Sequence, residues 1–247
     1  MVLPPSTFES RLKRCKVKVS SYCRHFAREA STIRRILHFS RFCYLDTSSG
    51  AAIASRSVLE CLARHHFEVE ALCGTIVDSG LERDPADILA ELGHASSIGS
   101  RTRLGATPSN GRRIEPPLLR TTFGGVPLTI HGGTTRRFAE ADLDEVPELS
   151  MLFESTLDRF RPDVMTTYGG DPLTLHLIKR ARLKGAAVAF ALHNFSYTHP
   201  RLFLLTDAAT VPSRFAADYY RASLGFDCAV LPNIVSPDHV RADPWEP

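Results

Sequence analysis

The feature that most constrains the fold is the alternation of short apolar segments with amphipathic segments along residues 34–233. The apolar runs have the length of strands, and the amphipathic runs carry apolar residues at helical spacing. Strands that alternate with helices form right-handed β-α-β crossovers, and such strands lie parallel in one sheet. Because the strands are almost continuously apolar, helices should cover both faces of the sheet. The sequence therefore predicts an α/β fold with a mostly parallel sheet.

Capping and turn residues set the predicted boundaries. Asp171-Pro172 opens a helix that Gly185 ends, and Ser48 or Ser49 caps an earlier one. Gly124-Gly125 predicts a two-residue hairpin turn, because a type I′ turn needs positive φ at both positions. The predicted strands are 34–45, 68–74, 163–168, 187–192, 208–211 and 228–233, with a hairpin over 118–133; the predicted helices are 50–65, 86–92, 145–160, 171–185 and 214–225; and 96–113 is predicted as a long loop.

The two ends of the chain differ from its middle. Residues 1–32 are basic, and two interpretations are open: a membrane-facing leader, or the favoured one, a poorly ordered extension or a start placed too far upstream. Residues 33–235 are predicted to form one domain, and 236–247 a truncated linker or tail. The net charge of +3 is too small to indicate nucleic-acid binding. No apolar run approaches the roughly 18 residues that span a membrane.

The six cysteines do not form a Cys-x-x-Cys pair. This spacing argues against a zinc site, so no metal site is predicted. Buried reduced thiols in a cytoplasmic protein are the favoured interpretation.

Small and polar residues follow four of the predicted strands. The carboxyl ends of parallel strands meet at one edge of a sheet, where ligands of open α/β sheets bind. Four such strand ends predict a cleft at that edge. The candidate residues are Ser48, Ser49, Gly50 and Ala51 after the first strand, then Gly169, Gly170 and Asp171, then His193 and Asn194, and finally Ser213 and Arg214.

Each candidate also has a purely structural interpretation. Gly50 lets a ligand approach the backbone closely, and the helix behind it presents free N–H groups to an anion. Any tight strand-to-helix turn also prefers small residues, however. His193 can donate a hydrogen bond to a phosphate or a sugar hydroxyl, act as a base, or simply be a satisfied histidine at a strand end. For Asp171, a helix N-cap is favoured over a catalytic acid.

The sequence argues against two common nucleotide sites. The dinucleotide fingerprint needs Gly-x-Gly-x-x-Gly and an acidic residue at the end of the second strand, but the loop after the first strand has one glycine, and the second strand, "EVEALCG", ends without an acid until Asp78. A nucleotide-dependent oxidoreductase stays open as a third interpretation, which would need tight NAD binding. Nothing matches the Gly-x4-Gly-Lys-Ser/Thr pattern of a P-loop.

Three segments, in the right order, carry a resemblance to a known family. They are "SSGAAIASRSVLECLARHHFEVEALCG", "FRPDVMTTYGGDPLTLHLIKRARLKGAAVAFALHNF" and "VPSRFAADYYRASLGFDCAVLPNIV". From about Arg34 to Val235, the chain resembles the N-terminal domain of family-4 glycosyltransferases. The resemblance implies a Rossmann-like domain that is a single N-terminal half of a GT-B architecture.

The resemblance also implies roles for particular residues. The loop from Ser48 to Ala51 would border the cleft near the donor phosphates and the acceptor, and His193 would lie near the reaction centre as the catalytic candidate. Ser49 stands where the family carries a second glycine. Pro232–Ser236 matches the segment that leads into the second domain, with Ile234 and Ser236 in place of the usual Gly and Asp.

The function implied by the resemblance is the transfer of a sugar from a nucleotide-diphosphate sugar to a sugar, lipid-linked or polysaccharide acceptor, with retention. No cofactor and no nucleic acid are expected, and the location would be cytoplasmic, with peripheral contact at the membrane inner face. The chain ends at Pro247, before the donor-binding domain of this architecture, so the isolated chain is expected to be inactive, and a separate donor-binding domain is one of the partners considered. The alternatives are a non-catalytic binding module or remnant, or one half of a split glycosyltransferase.

Overall fold

Nine strands form one sheet in the computed structural model, which describes residues 33–78, 85–93, 98–103, 117–132, 145–198 and 200–234. The strands are β1 (Arg35–Phe42), β2 (Glu68–Ile76), β3 (Ile98–Arg103), β4 (Pro117–Phe123), β5 (Val126–His131), β6 (Val164–Thr167), β7 (Ala187–Ala191), β8 (Ala208–Val211) and β9 (Ala229–Val230). The helices are α1 (Gly50–Arg64), α2 (Pro85–Glu91), α3 (Glu145–Phe160), α4 (Pro172–Leu183) and α5 (Arg214–Leu224), with a 3₁₀ helix at Pro200–Leu205.

Strand β1 lies at the centre of the sheet, between β2 and β6. The strand order is β3-β4-β5-β2-β1-β6-β7-β8-β9, and every neighbouring pair is parallel except β3–β4 and β4–β5. From β1 the chain passes to β2, then to the outer edge strand β3, and returns inwards through β4 and β5. It then crosses to β6 on the other side of β1 and moves outwards to β9. Right-handed crossovers in opposite directions place α1 and α4 on opposite faces. The loops after β1 and β6 therefore diverge and leave a crevice between them.

The sheet separates two layers of apolar core. Leu37 and Phe39 of β1 belong to one apolar cluster with residues of α3, α4 and α5, and the ring of Phe39 meets the ring of Phe153 edge-on at 5.3 Å. On the other face, Ile36 belongs to a cluster with Leu59 of α1. The α/β class, the mostly parallel Rossmann-like sheet and the helices on both faces are thus confirmed.

The local signals placed most element boundaries correctly. Ser49 is the N-cap of α1, and α3 has the predicted bounds. Gly124 and Gly125 form the hairpin turn with φ of 58° and 81°. Gly225 ends α5 in the left-handed conformation, with φ of 73°.

The predicted long loop over 96–113 is wrong for residues 98–103, which form β3. This segment lacks the apolar alternation of a strand, but its backbone pairs antiparallel with β4 at the edge of the sheet. Pairing with a neighbouring strand determined its conformation, and sequence pattern alone does not report such pairing. The last predicted strand shrinks to the two residues of β9.

Several predictions fall on residues 1–32, 104–116 and 236–247, which lie outside the described residues. No helix among the described elements has the length and apolar character needed to cross a bilayer.

An irregularity in the pairing of β1 with β2 lies just below the rim. Ser40 pairs with Cys73 and Phe42 with Ile76, so β2 carries one extra residue between these pairs. Gly74 lies in this bulge, and a Cβ atom there would be 2.4 Å from the carbonyl oxygen of Arg41. Glycine is therefore required by the close approach of two backbones.

Gly74→Ala should destabilise the fold by about 2 kcal/mol, because the two strands must separate to admit the methyl group. Gly50→Ala is the matched control: a Cβ atom there has nothing within 4 Å, and alanine favours a helix over glycine by about 1 kcal/mol. Urea denaturation of both variants tests this. Equal stability of Gly74→Ala and the wild type would contradict the backbone contact.

Candidate functional site

The loop after β1 is held by one buried carboxylate. Asp46 is 3% exposed. Its Oδ1 accepts hydrogen bonds from the backbone N–H and the hydroxyl of Ser48, at 2.8 and 2.6 Å. Its Oδ2 accepts one from the N–H of Asp78, at 2.8 Å, after β2. Asp46 thus ties two strand ends together at the rim.

Helix α1 begins directly after this loop, and its first turn faces the rim. Ser49 accepts a hydrogen bond from the N–H of Ala52 at 3.3 Å. The N–H groups of Gly50 and Ala51 lie in the first turn, where a helix provides no acceptor. Ser49 and Ala51 line the cleft described below, whereas Ser48 and Gly50 belong to the turn behind it.

The second wall comes from the segment after β6. Gly169 has φ of 97°, which favours glycine, and its N–H donates to the hydroxyl of Tyr197 at 3.2 Å. Tyr197 follows β7, so this hydrogen bond joins two neighbouring strand ends. Gly169 and Gly170 both line the cleft.

Asp171 lies beneath this wall and caps α4. Its carboxylate accepts hydrogen bonds from the N–H groups of Leu173 and Thr174, at 3.0 and 3.1 Å, and from the Thr174 hydroxyl at 2.5 Å. It also forms a buried ion pair with Arg41 at 3.3 Å. The predicted N-cap is confirmed, and Asp171 is not among the residues that line the cleft.

His193 follows β7 and lies between the rim and α1. Its Nε2 is 3.3 Å from the hydroxyl of Ser55, and its ring meets that of Tyr168 edge-on at 5.5 Å. Burial lowers the pKa of His193 to about 4. The imidazole is therefore neutral at pH 7 and has a lone pair available to accept a proton or a hydrogen bond.

The residues after His193 form a small polar turn. The Asn194 Oδ1 accepts hydrogen bonds from the N–H and hydroxyl of Ser196, at 3.0 and 2.6 Å. Both side chains line the cleft. Ser213 and Arg214 do not line it: Ser213 caps α5 by accepting from the N–H of Ala216 at 3.2 Å, and Arg214 begins that helix.

These segments enclose a cleft of about 400 Å³ at the carboxyl ends of β1, β6 and β7. This volume is within the usual range for a small-molecule site. Among the described residues that line it there is a carboxylate, an imidazole, an amide and several hydroxyls, but no lysine or arginine. The lining consists of Phe42, Ser49, Ala51, Asp78, Tyr168, Gly169, Gly170, His193, Asn194, Ser196, Tyr197 and Thr198.

Sequence reasoning missed five of the polar residues that line this cleft, which are Asp78, Tyr168, Ser196, Tyr197 and Thr198. Asp78 is an exposed carboxylate after β2, and the strand-end rule would have found it had the strand been extended to Ile76. Tyr197 lies four residues beyond His193, and nothing in the sequence indicates that it meets Gly169.

No family model matches the chain, and no curated protein matches it. Solved structures with a similar fold include the UDP-GlcNAc 2-epimerase from Methanocaldococcus jannaschii, which has 11% sequence identity and a TM-score of 0.45 and covers 81% of this chain and 46% of the other. The UDP-GlcNAc 2-epimerase from Neisseria meningitidis bound to UDP-GlcNAc has 10% sequence identity and a TM-score of 0.43, and covers 81% of this chain and 47% of the other. An E. coli trehalose-6-phosphate structure bound with UDP-2-fluoro glucose has 12% identity and a TM-score of 0.40, covering 83% of this chain and 50% of the other. The chain thus spans half or less of the length of these proteins, and the similarities are too low to assign a family or a ligand.

Two histidines, the buried His38 and the half-buried His193, predict acid sensitivity. Burial, aided by the neighbouring His193, lowers the pKa of His38 to about 3, and burial lowers that of His193 to about 4; both ordinary values are 6.5. Below pH 6.5 the unfolded chain binds protons that the folded chain does not, so the free energy of unfolding falls as the pH falls towards 4. Each histidine contributes a slope of up to about 1.4 kcal/mol per pH unit.

His38→Gln should remove its share of this slope, because glutamine does not titrate. Chemical denaturation of the wild type and the variant at pH 7, 6 and 5 measures the difference, and the contributions of all other groups cancel. Parallel curves over that range would contradict the prediction.

Proposed function

We propose that the cleft binds a sugar, and that this chain provides the acceptor side of a glycosyltransferase that uses a nucleotide-diphosphate sugar. The observation that carries the proposal is the position and chemistry of the cleft. It lies where the crossovers from β1 and β6 diverge, which is where ligands of open α/β sheets bind. Its described lining carries one carboxylate, one amide, one imidazole and several hydroxyl groups, and it has no cation.

These groups suit a sugar better than a free phosphate. Sugar hydroxyls both donate and accept hydrogen bonds, so they pair with Asp78, Asn194 and Ser196 alike. The half-buried rings of Phe42 and Tyr197 offer apolar surface to the C–H face of a sugar. An unpaired phosphate would instead meet the Asp78 carboxylate, which repels it.

His193 has the properties of a group that orients an acceptor hydroxyl. In the transfer, the acceptor oxygen bonds to the anomeric carbon, the bond from that carbon to the diphosphate breaks, and the hydroxyl proton goes to a base. With retention, as the family resemblance implies, the hydroxyl and the leaving diphosphate lie on the same face of the sugar, so an oxygen of the diphosphate can take this proton. Because burial lowers the pKa of His193 to about 4, its imidazole stays neutral and would hold the hydroxyl by a hydrogen bond.

The leaving diphosphate needs positive charge that the described cleft does not supply. The first turn of α1 offers the N–H groups of Gly50 and Ala51 and the positive end of the helix dipole. Electrostatic stabilisation of a departing diphosphate usually uses arginine, lysine or a metal ion. We therefore propose that the donor is held mainly by a separate donor-binding domain.

The absence of a lysine or arginine from the described lining also supports a second candidate function, a non-catalytic sugar-binding module. A cleft that holds sugar hydroxyls without a cation can bind an acceptor and catalyse nothing. One half of a split glycosyltransferase would differ from such a module by gaining activity with a partner.

Binding measurements test the sugar cleft. By calorimetry, methyl β-D-glucoside should bind, and inorganic diphosphate should not. Asp78→Asn should weaken glucoside binding about tenfold or more, since a hydrogen bond to a charged group contributes about 1.5–3 kcal/mol. Glu68→Gln, the same chemical change at the opposite end of β2, is the control. Tighter binding of diphosphate than of any saccharide would contradict the proposal.

Turnover separates the two candidates. We expect the purified chain to release no UDP from UDP-glucose above background with a glucoside acceptor, because its described cleft lacks a cation for the leaving group. Measurable UDP release by the chain alone would contradict this expectation and would exclude the binding module. Release only after a donor-binding domain is added would identify one half of a split enzyme.

A further inference from the structure

A second cavity lies beside the cleft, on the face of the sheet that carries α1. It has a volume of about 400 Å³, and we call it the apolar groove. Val58 and Leu62 of α1 form one wall, and Leu231–Ile234 form the other. Ala189 and Ala191 of β7 lie on its floor. Apart from two histidines, four hydroxyl groups, one amide and one thiol, the side chains of its described lining are hydrocarbon.

The floor exists because one half of this sheet face is uncovered by the described helices. Along β6, β7 and β8, alternate residues are half-buried, while the residues between them are buried under α4 and α5. The half-buried positions carry small side chains, such as Ala187, Ala189 and Thr210. Small side chains on an open sheet face leave a trough next to α1.

The apolar groove and the polar cleft meet at His193, which lines both. The contact of its Nε2 with the Ser55 hydroxyl, at 3.3 Å, fixes the imidazole at this junction. Ser55 itself lines the groove. A ligand that passes His193 therefore moves from hydroxyl and carboxylate groups to hydrocarbon.

We propose that the groove binds the hydrocarbon tail of an amphiphilic acceptor whose sugar head lies in the cleft. This inference rests on the proposed function and narrows its acceptor to a glycolipid-like molecule. His193 would then lie beside the head group, at the point where the tail leaves the cleft.

The dimensions and chemistry of the groove favour a hydrocarbon chain over polypeptide. An extended peptide needs partners for its N–H and C=O groups, and the floor is the face of a sheet, whose backbone groups are already paired. A helix pairs its own backbone, but with a diameter of about 10 Å and a pitch of 5.4 Å it occupies roughly 400 Å³ per turn. The groove would hold about one turn. A hydrocarbon tail needs no partners and gains from burial along its whole length.

The test is a calorimetric series with glucose and the butyl, hexyl and octyl β-D-glucosides, each below its micelle concentration, using the full chain. If the tail enters the groove, affinity should rise roughly tenfold for each two methylene groups added. Octanol provides the tail without the sugar and should bind at least tenfold more weakly than octyl glucoside.

Val58→Glu places a carboxylate in the groove, on the surface of a helix where it should not prevent folding. It should remove the dependence on tail length and leave glucose binding unchanged. Ile53→Glu is the matched control, because Ile53 is an exposed apolar residue of the same helix that does not line the groove. Ala189→Phe, which fills the floor, should have the same effect as Val58→Glu.

The outcomes separate the two proposals. Affinity for glucosides that does not change with tail length overturns the inference and leaves the sugar cleft intact. Equal, tail-dependent binding of octanol and octyl glucoside supports the groove but contradicts the sugar cleft. If Val58→Glu and Ala189→Phe both leave the dependence on tail length unchanged, the tail lies outside the groove and the inference is overturned.

Discussion

The parallel pairing of β1 with both β2 and β6 is the constraint on which the rest of the structure depends. Because β1 has a parallel neighbour on each side, the crossovers must run outwards in opposite directions, and their helices must lie on opposite faces. That divergence opens the crevice at the carboxyl ends of β1 and β6. The buried side chains of Leu37 and Phe39 hold β1 in this central position.

The rim of the crevice is held by contacts between segments that are distant in sequence. Asp46 joins the end of β1 to the end of β2, and Tyr197 joins the segment after β7 to Gly169. Below them, the ion pair between Arg41 and Asp171 connects β1 to the start of α4. These contacts fix the walls before any ligand binds, and a site with fixed walls loses little free energy to ordering on binding.

Much of the fold could be predicted from the sequence because its signals are local. The start of α4 at Asp171-Pro172 and the hairpin turn at Gly124-Gly125 each depend on residues only a few positions apart in sequence. β3 could not be predicted, because its strand conformation comes from pairing with β4. Within the site, Ser49, Gly169 and His193 could be placed by the strand-end rule. The meeting of Tyr197 with Gly169, and of His193 with both cavities, depends on how separate strands lie side by side.

The described cleft has no lysine or arginine, and the groove beside it is apolar. These two features assign different parts of the substrates to different sites. The described cleft would hold a sugar hydroxyl beside a neutral His193, the groove would hold an apolar tail, and the charge of a diphosphate would be met from elsewhere. Each part of this account follows from the same topology, since the cleft, the junction at His193 and the open sheet face all lie around β6 and β7.

The most direct test of the central claim, that the crevice is a sugar site, is amide hydrogen exchange of the full chain with and without saturating methyl β-D-glucoside. The account predicts slower exchange in peptides covering 46–51, 168–171 and 193–198, and no change in α3. Unchanged exchange in all three rim segments at saturation, or protection confined to other parts of the chain, would contradict it.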